Sequence, residues 1–249
     1  MLGWRIKTAS LLFLAVAACF PVRAPAQEVA PWSVRLFSEG GWMFHTRKIG
    51  KNSATIQGQA SNQVVAELED GPVVGGGIEV VLPGRSLRLR ANLNTTVGVK
   101  GLAFLSVCGA GFSQFGGGLC QSPVEVDARV IDGSVDLIFL PSRTARMIRP
   151  ILWFGVGLRS YDFDTDLPAC VPTDVDVEEI CLRGREIFEG GSVDPLVSFG
   201  VGVTSRPAPV SGFLQLRGVA TGYSGGVGTA DGERVMDVLL QGGVSVRIR

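Results

Sequence analysis

Four cysteines stand beyond residue 26: Cys108, Cys120, Cys170 and Cys181. They fall as two pairs, each inside one long stretch between alternating segments. The opening residues (below) mark the chain for export, so disulfides are the expected chemistry. Four cysteines allow three connectivities. The local one, Cys108 with Cys120 and Cys170 with Cys181, closes two loops of about a dozen residues and would constrain each by on the order of 3 kcal/mol. A zinc site is the rival, but there is no C-x2-C pair and no histidine in these stretches. His45 is the only histidine. It is a candidate general base, yet no serine stands in a G-x-S-x-G context beside it. Its plainer reading is a polar residue at the end of a strand. Asp162, Asp164, Asp166, Asp174, Asp176, Glu178 and Glu179 crowd a third stretch, where "DFDTD" begins like a calcium loop. Leu167 replaces the glycine such a loop needs sixth, and Thr173 the glutamate it needs twelfth. The stretch reads as a solvated acidic loop. "GYSGGVGTADG" lacks the Lys-Ser/Thr of a phosphate loop. These residues give no catalytic, cofactor or metal site.

The elements that carry them are strands. In "SLRLRANLN", Leu87, Leu89, Ala91 and Leu93 alternate with Arg88, Arg90, Asn92 and Asn94. Successive side chains of a strand point to opposite faces. Eight segments alternate in this way: 32–45, 73–82, 86–94, 124–140, 151–161, 194–204, 213–222 and 235–249. In the fourth, the polar phase slips near Val130 and Ile131, which predicts a β-bulge or a turn at Asp132-Gly133. Connections after the second, fourth and sixth segments are short. Those after the first, third, fifth and seventh (46–72, 97–123, 162–193, 223–234) are long. An up-and-down barrel puts alternate connections at opposite ends, and membrane barrels have short periplasmic turns and long outer loops.

The amino terminus is a targeting signal. Arg5 and Lys7 precede the apolar run Leu11 to Phe20, which is too short to span a bilayer. Ala24 and Ala26 form a small-x-small cleavage pattern, which sets 1–26 as signal peptide and 27–249 as barrel. "VAAC" also resembles a lipobox that would lipidate Cys19, but Phe20 and Pro21 follow it where small polar residues are usual. No later run is long enough for a membrane-spanning helix. Lys and Arg total 23, as do Asp and Glu, so no basic field favours nucleic acid. Mean hydropathy is +0.31, high for a soluble protein.

The polar phase holds Arg35, Glu39, Glu79, Arg88, Arg90, Asp127, Arg129, Arg159, Arg217, Asp237 and Arg247, with Glu125, Asp132 and Asp136 among them. The other phase is almost wholly apolar. In a membrane barrel the apolar face meets lipid, and the mixed charges fill a lumen just wide enough for side chains. Buried charges need partners, and a lumen with matched arginines and carboxylates supplies them. A soluble, lipocalin-like carrier would reverse both faces. The short turn between the second and third segments sets Glu79 opposite Arg90 and Val80 opposite Leu89. Leu89 and Val201 are thereby expected toward lipid, and Arg90 toward the lumen.

"QGGVSVRI" at Gln241 to Ile248 resembles the terminal signal by which bacterial outer-membrane barrels are recognised for assembly. It differs in its aliphatic residues and in the Arg249 that follows. Across its mature length the chain resembles the small outer-membrane β-barrels of the opacity-protein and OmpA/OmpW-like group. The resemblance implies an all-β, eight-stranded antiparallel barrel in the bacterial outer membrane with both termini periplasmic. Its implied partners are membrane lipid, the barrel-assembly machinery and an extracellular ligand at the loops. The function so implied is non-enzymatic: surface-loop presentation for adhesion, binding or envelope integrity. The alternatives are a barrel enzyme acting on envelope lipids through His45, and the soluble carrier.

Overall fold

The structure, a computed structural model, describes residues 32–248 apart from 47, 57–58, 83–85, 107–123, 142–146, 165–169, 171–174 and 206–207. The signal peptide, Cys19, Cys108 and Cys120 lie outside the described residues. In chain order the elements are β1 (Ser33–His45), β2 (Gly50–Ile56), β3 (Gln59–Leu68), β4 (Gly71–Val81), β5 (Leu87–Thr96), β6 (Val99–Leu105), β7 (Val124–Phe139), β8 (Ile148–Phe163), α1 (Val175–Phe188), β9 (Ser192–Ser205), β10 (Val210–Gly222), β11 (Asp231–Gly232) and β12 (Arg234–Arg247). Eight of these strands close a barrel in the order β7-β5-β4-β1-β12-β10-β9-β8, sealed by β7 against β8. Every barrel pairing is antiparallel.

The face assignment follows from alternation. Leu89, Val201, Phe154, Leu137 and Leu216 are exposed on the outer wall, whereas Arg90, Arg159, Arg217 and Asp237 are buried in the lumen. Glu79 pairs with Arg90 and Val80 with Leu89, and the backbone N–H of Leu82 donates to the carbonyl of Leu87 at the turn. The barrel is thus apolar outside and polar inside, as only a membrane wall needs to be.

The expected bulge in the fourth segment is absent. β7 pairs with β8 in unbroken register from Ala128↔Phe163 to Phe139↔Leu152, so there is neither a slip nor a turn at Asp132-Gly133. Even-numbered residues from Val124 to Leu140 all face inward. What changes is the medium. Near the membrane the strand buries Asp132, Ser134 and Asp136 and shows Val135, Leu137 and Phe139 to lipid. Farther out it buries Val124, Val126, Ala128 and Val130 and shows Glu125, Asp127 and Arg129 to water. The strand keeps its phase while its chemistry inverts.

That inversion builds a second, outer unit where the sequence suggests loops. β2, β3 and β6 continue β1, β4 and β5 beyond the lipid belt, and β11-β2-β3-β6-β7 repeats the order of the barrel strands below. Gly98, at φ +64°, occupies the step from β5 to β6 in the left-handed region that favours glycine. The acidic stretch also holds a helix. α1 puts Ile180, Cys181, Gly184, Ile187 and Phe188 on one buried face, the spacing of an amphipathic helix. At Gly184 a Cβ would lie 2.8 Å from that of Ala103, so glycine lets the helix settle onto β6. Residues of α1, β2, β3, β6, β7 and β8 share one apolar core with Tyr223 and Val235.

Position along β7, not alternation alone, sets the effect of a charge. Leu137→Arg is expected to cost about 2–4 kcal/mol if near the bilayer midplane. Arg129→Leu, on the same face of the same strand, is expected to stay within about 0.5 kcal/mol as an exposed surface change. Equilibrium urea unfolding in lipid vesicles measures both.

Candidate functional site

Among the described residues, the lumen is the most densely organised polar region. It is filled in tiers, starting at the end bearing the short turns. There Arg35 donates to the hydroxyls of Ser245 (2.9 Å) and Ser211 (2.5 Å) and to the carbonyls of Ala208 and Ser245 (3.0 Å each). Ile138, Leu140, Ile151 and Trp153 form an apolar cluster inside the opposite wall.

In the next tier, Glu79 accepts from Arg88 Nη1 at 2.9 Å and from Arg90 Nη2 at 2.8 Å. The Arg90 guanidinium lies between the rings of Phe37 and Phe213, 4.6 and 4.7 Å from their centroids. A cation held over an aromatic face gains most where water is excluded. Its third contact is Gln215 Oε1, and Gln215 in turn donates to Glu39 at 3.0 Å.

Above this, Arg217 bonds the hydroxyls of Ser134 (2.6 Å) and Ser198 (3.0 Å) and pairs with Asp136 at 3.2 Å. Asn92 donates to the same carboxylate at 2.6 Å. In the outermost polar tier, Arg159 bonds both oxygens of Asp132 at 2.5 and 2.7 Å and also pairs with Asp237. Asp237 lies 3.0 Å from His45 Nδ1, and the His45 side chain is 1% exposed. Neither ring nitrogen of His45 has a well-aligned hydrogen bond. Met43, Val73, Leu196, Val219 and Leu239 close this level, and the outer core begins above them.

The eleven charges named as a lumen set divide as follows. The structure brings Arg35, Glu39, Glu79, Arg88, Arg90, Arg159, Arg217 and Asp237 into the lumen, all buried. Arg247 is half-buried at its rim. Asp127 and Arg129 are not in the lumen. They face water on the outer wall, because they lie beyond the level where β7 inverts its chemistry. Phe37 and Phe213 are aromatic lumen residues that charge counting misses. Their signal is an aromatic side chain in the polar phase of its strand.

Cys170 is bonded to Cys181, which ties the segment before α1 to the helix's buried face. The acids Glu178 and Glu179 sit in the first half of α1, and Arg183 pairs with Glu179 and Glu186 along the helix. Outside the lipid belt, burial raises the Glu67 carboxyl above its ordinary range against the pull of Lys48, and burial likewise pushes up the Tyr223 hydroxyl. Tyr223 donates to the carbonyl of Ile187 at 2.5 Å, which fixes the last turn of α1. Among the described residues no cluster of His, Cys, Asp and Glu could hold a metal.

No family model and no curated protein sequence matches the chain. Several solved structures resemble it in outline. Neisserial surface protein A is 13% identical over 86% of this chain and 97% of that one, with a TM-score of 0.42. The outer membrane protein AlkL is 14% identical over 92% and 97%, with a TM-score of 0.48. OprG of Pseudomonas aeruginosa is 11% identical over 85% and 96%, with a TM-score of 0.45.

Removing one partner from the outermost tier strands the others. Arg159→Met leaves Asp132 and Asp237 buried without their counter-charge and is expected to cost about 3–5 kcal/mol. Combining it with Asp132→Asn and Asp237→Asn is expected to recover much of that loss. Unfolding in vesicles compares the two variants with the parent.

Proposed function

We propose that the protein is a non-enzymatic barrel of the bacterial outer membrane that holds a folded cap at the cell surface and conducts nothing through its filled lumen. The observation that carries this reading is vertical. Paired arginines and carboxylates fill the barrel across the lipid-facing span, and a core-packed cap stands directly above them. The start of β1 and the end of β12 lie with the β4–β5, β7–β8 and β9–β10 strand ends at one end, the periplasmic one on this reading, and α1 lies at the other. A soluble carrier would need the apolar faces inward, and the structure turns them outward.

The cap suits adhesion, ligand binding or envelope support. It is a core-packed platform, with a helix stapled by Cys170–Cys181 and a hairpin of β2 and β3 beside it. The partners on this reading are membrane lipid, the assembly machinery that folds the barrel, and an extracellular ligand at the cap.

An enzyme acting on envelope lipids has one feature in its favour, the His45–Asp237 pair, which is the arrangement of a base and its orienting acid. Against it, the imidazole is enclosed and no described serine, threonine or cysteine hydroxyl or thiol hydrogen-bonds to it.

Two measurements test the reading. Reconstituted protein in planar bilayers is expected to show no large, stable conductance. Cys170→Ala/Cys181→Ala, which loosens the cap and leaves the charged tiers in place, is expected to be equally silent. Water-filled pores in either sample overturn the closed lumen. Phospholipid or lipid A turnover by the parent and its loss in folded His45→Ala would establish the enzyme instead.

A further inference from the structure

Where the barrel gives way to the cap, the outer surface carries a cleft of about 720 Å³, within the size range of small-molecule sites. Thr46, Lys48, Glu67, Gly232, Glu233 and Arg234 line it. They come from the step between β1 and β2, the end of β3, β11 and the start of β12.

The cleft lies at the height of the membrane surface. Asp132 and Asp237 share Arg159, so they mark one level of the barrel. Three residues farther out on β7, Arg129 faces water. Three residues farther out on β12 stands Arg234, also exposed. Below Arg234 the outward row of β12 continues in Met236 and Leu240, and that of neighbouring β1 in Phe44 and Trp42, all exposed on the apolar wall. The Thr46 hydroxyl donates to the carbonyl of Met236 and joins the two strands at the top of these rows.

The charges of the cleft do not neutralise one another. Lys51 pairs with Glu233 at 2.8 Å. Glu67, half-buried, lies in the field of Lys48, yet neither Glu67 nor Arg234 has an ion pair among the described residues. A half-buried carboxylate without a donor calls for one. The cleft thus presents two cations, Lys48 and Arg234, with an unsatisfied carboxylate beside them. A simple anion would meet the cations and be repelled by Glu67. A simple amine would do the reverse. A group that holds a phosphate and a primary ammonium a few bonds apart satisfies all three.

We propose that this cleft binds the phosphoethanolamine headgroup of a lipid in the leaflet on the cap side of the membrane. Arg234 and Lys48 hold the phosphate, and the ammonium donates to Glu67 in a charge-assisted bond. The acyl chains run down the rows of Met236, Phe44 and Trp42. Soluble phosphoethanolamine would use only the charges, whereas the lipid also uses the apolar rows. The site rests on the membrane reading above and adds to it a lipid class and a place.

The test uses the full mature chain in nanodiscs of phosphatidylethanolamine, phosphatidylcholine and phosphatidylglycerol in equal parts, with the same acyl chains. After mild detergent extraction, retained lipid is counted by mass spectrometry. Phosphatidylethanolamine is expected severalfold enriched over both others, because choline has no N–H for Glu67 and phosphatidylglycerol has no cation for it. High salt is expected to weaken the enrichment. Glu67→Gln is expected to remove most of the preference, and Lys48→Gln/Arg234→Gln to lower retention of all three lipids. Arg129→Gln, at the same height on the far wall, is expected to change neither. Heat-modifiable migration reports the fold of each variant, and should one fail to fold, the parent's order of the three lipids decides. Equal retention of the three lipids, preference for phosphatidylglycerol, or a preference that survives both sets of changes overturns the site. Displacement of the lipid by soluble phosphoethanolamine alone overturns the lipid as its source. A chain that does not enter the bilayer overturns the membrane reading itself, whereas one that enters without preference overturns only the cleft.

Discussion

Everything in this molecule depends on one constraint: in hydrocarbon, each backbone N–H and C=O must find its partner within the protein. A closed ring of strands meets it, and closure then dictates the rest. Side chains on the outer wall must be apolar. Those inside are shut away from both lipid and bulk water, and they must satisfy one another. The arginine–carboxylate tiers are the solution to that second demand. Each guanidinium spreads several donors over carboxylates, amides and hydroxyls from different strands, which ties the wall together across its diameter.

Beyond the lipid the constraint relaxes, and the same strands build an ordinary protein interior. β7 and β8 pass from one regime to the other without a break in register. The inward positions exchange aspartate and serine for valine and alanine on β7, and on β8 they run from Arg159 to Tyr161 and Phe163. The edge-to-face rings of Phe163 and Phe188, 5.0 Å apart, join the wall to α1. Lumen and cap are one continuous column of packed side chains with a change of chemistry partway up.

Much of the barrel was legible in the sequence because a period of two is a strong signal wherever one face meets lipid. Leu89 and Arg90 declared their sides, and the turn after Leu82 fixed the pairing of Glu79 with Arg90. The cap was not legible in the same way. β2 reads "GKNSATI", small and polar on both faces, so alternation says little there. α1 was obscured by its acids, although Ile180, Cys181, Ile187 and Phe188 carried a helical spacing. The apparent slip at Val130 was a true observation with the wrong cause. A change of solvent and an inserted residue leave the same mark on a hydropathy pattern, and only pairing in space separates them. The lumen charges were found by phase, and Asp127 and Arg129 were misplaced by the same rule because phase carries no information about height.

The unbroken ladder from the cap into the barrel has a mechanical meaning. A tether pulling on the outer end of β7 loads its hydrogen bonds along the strand direction, in shear, so that many bonds share the tension at once. Peeling a hairpin from its tip would load them singly. β7 and β8 are anchored across the lumen by the Asp136–Arg217 and Arg159–Asp237 pairs, and β5 by the hydrogen bond from Arg90 to Gln215, and these ties resist sliding of one strand past the next. A cap mounted on such a column transmits a sustained pull to the whole barrel wall before any part of it yields.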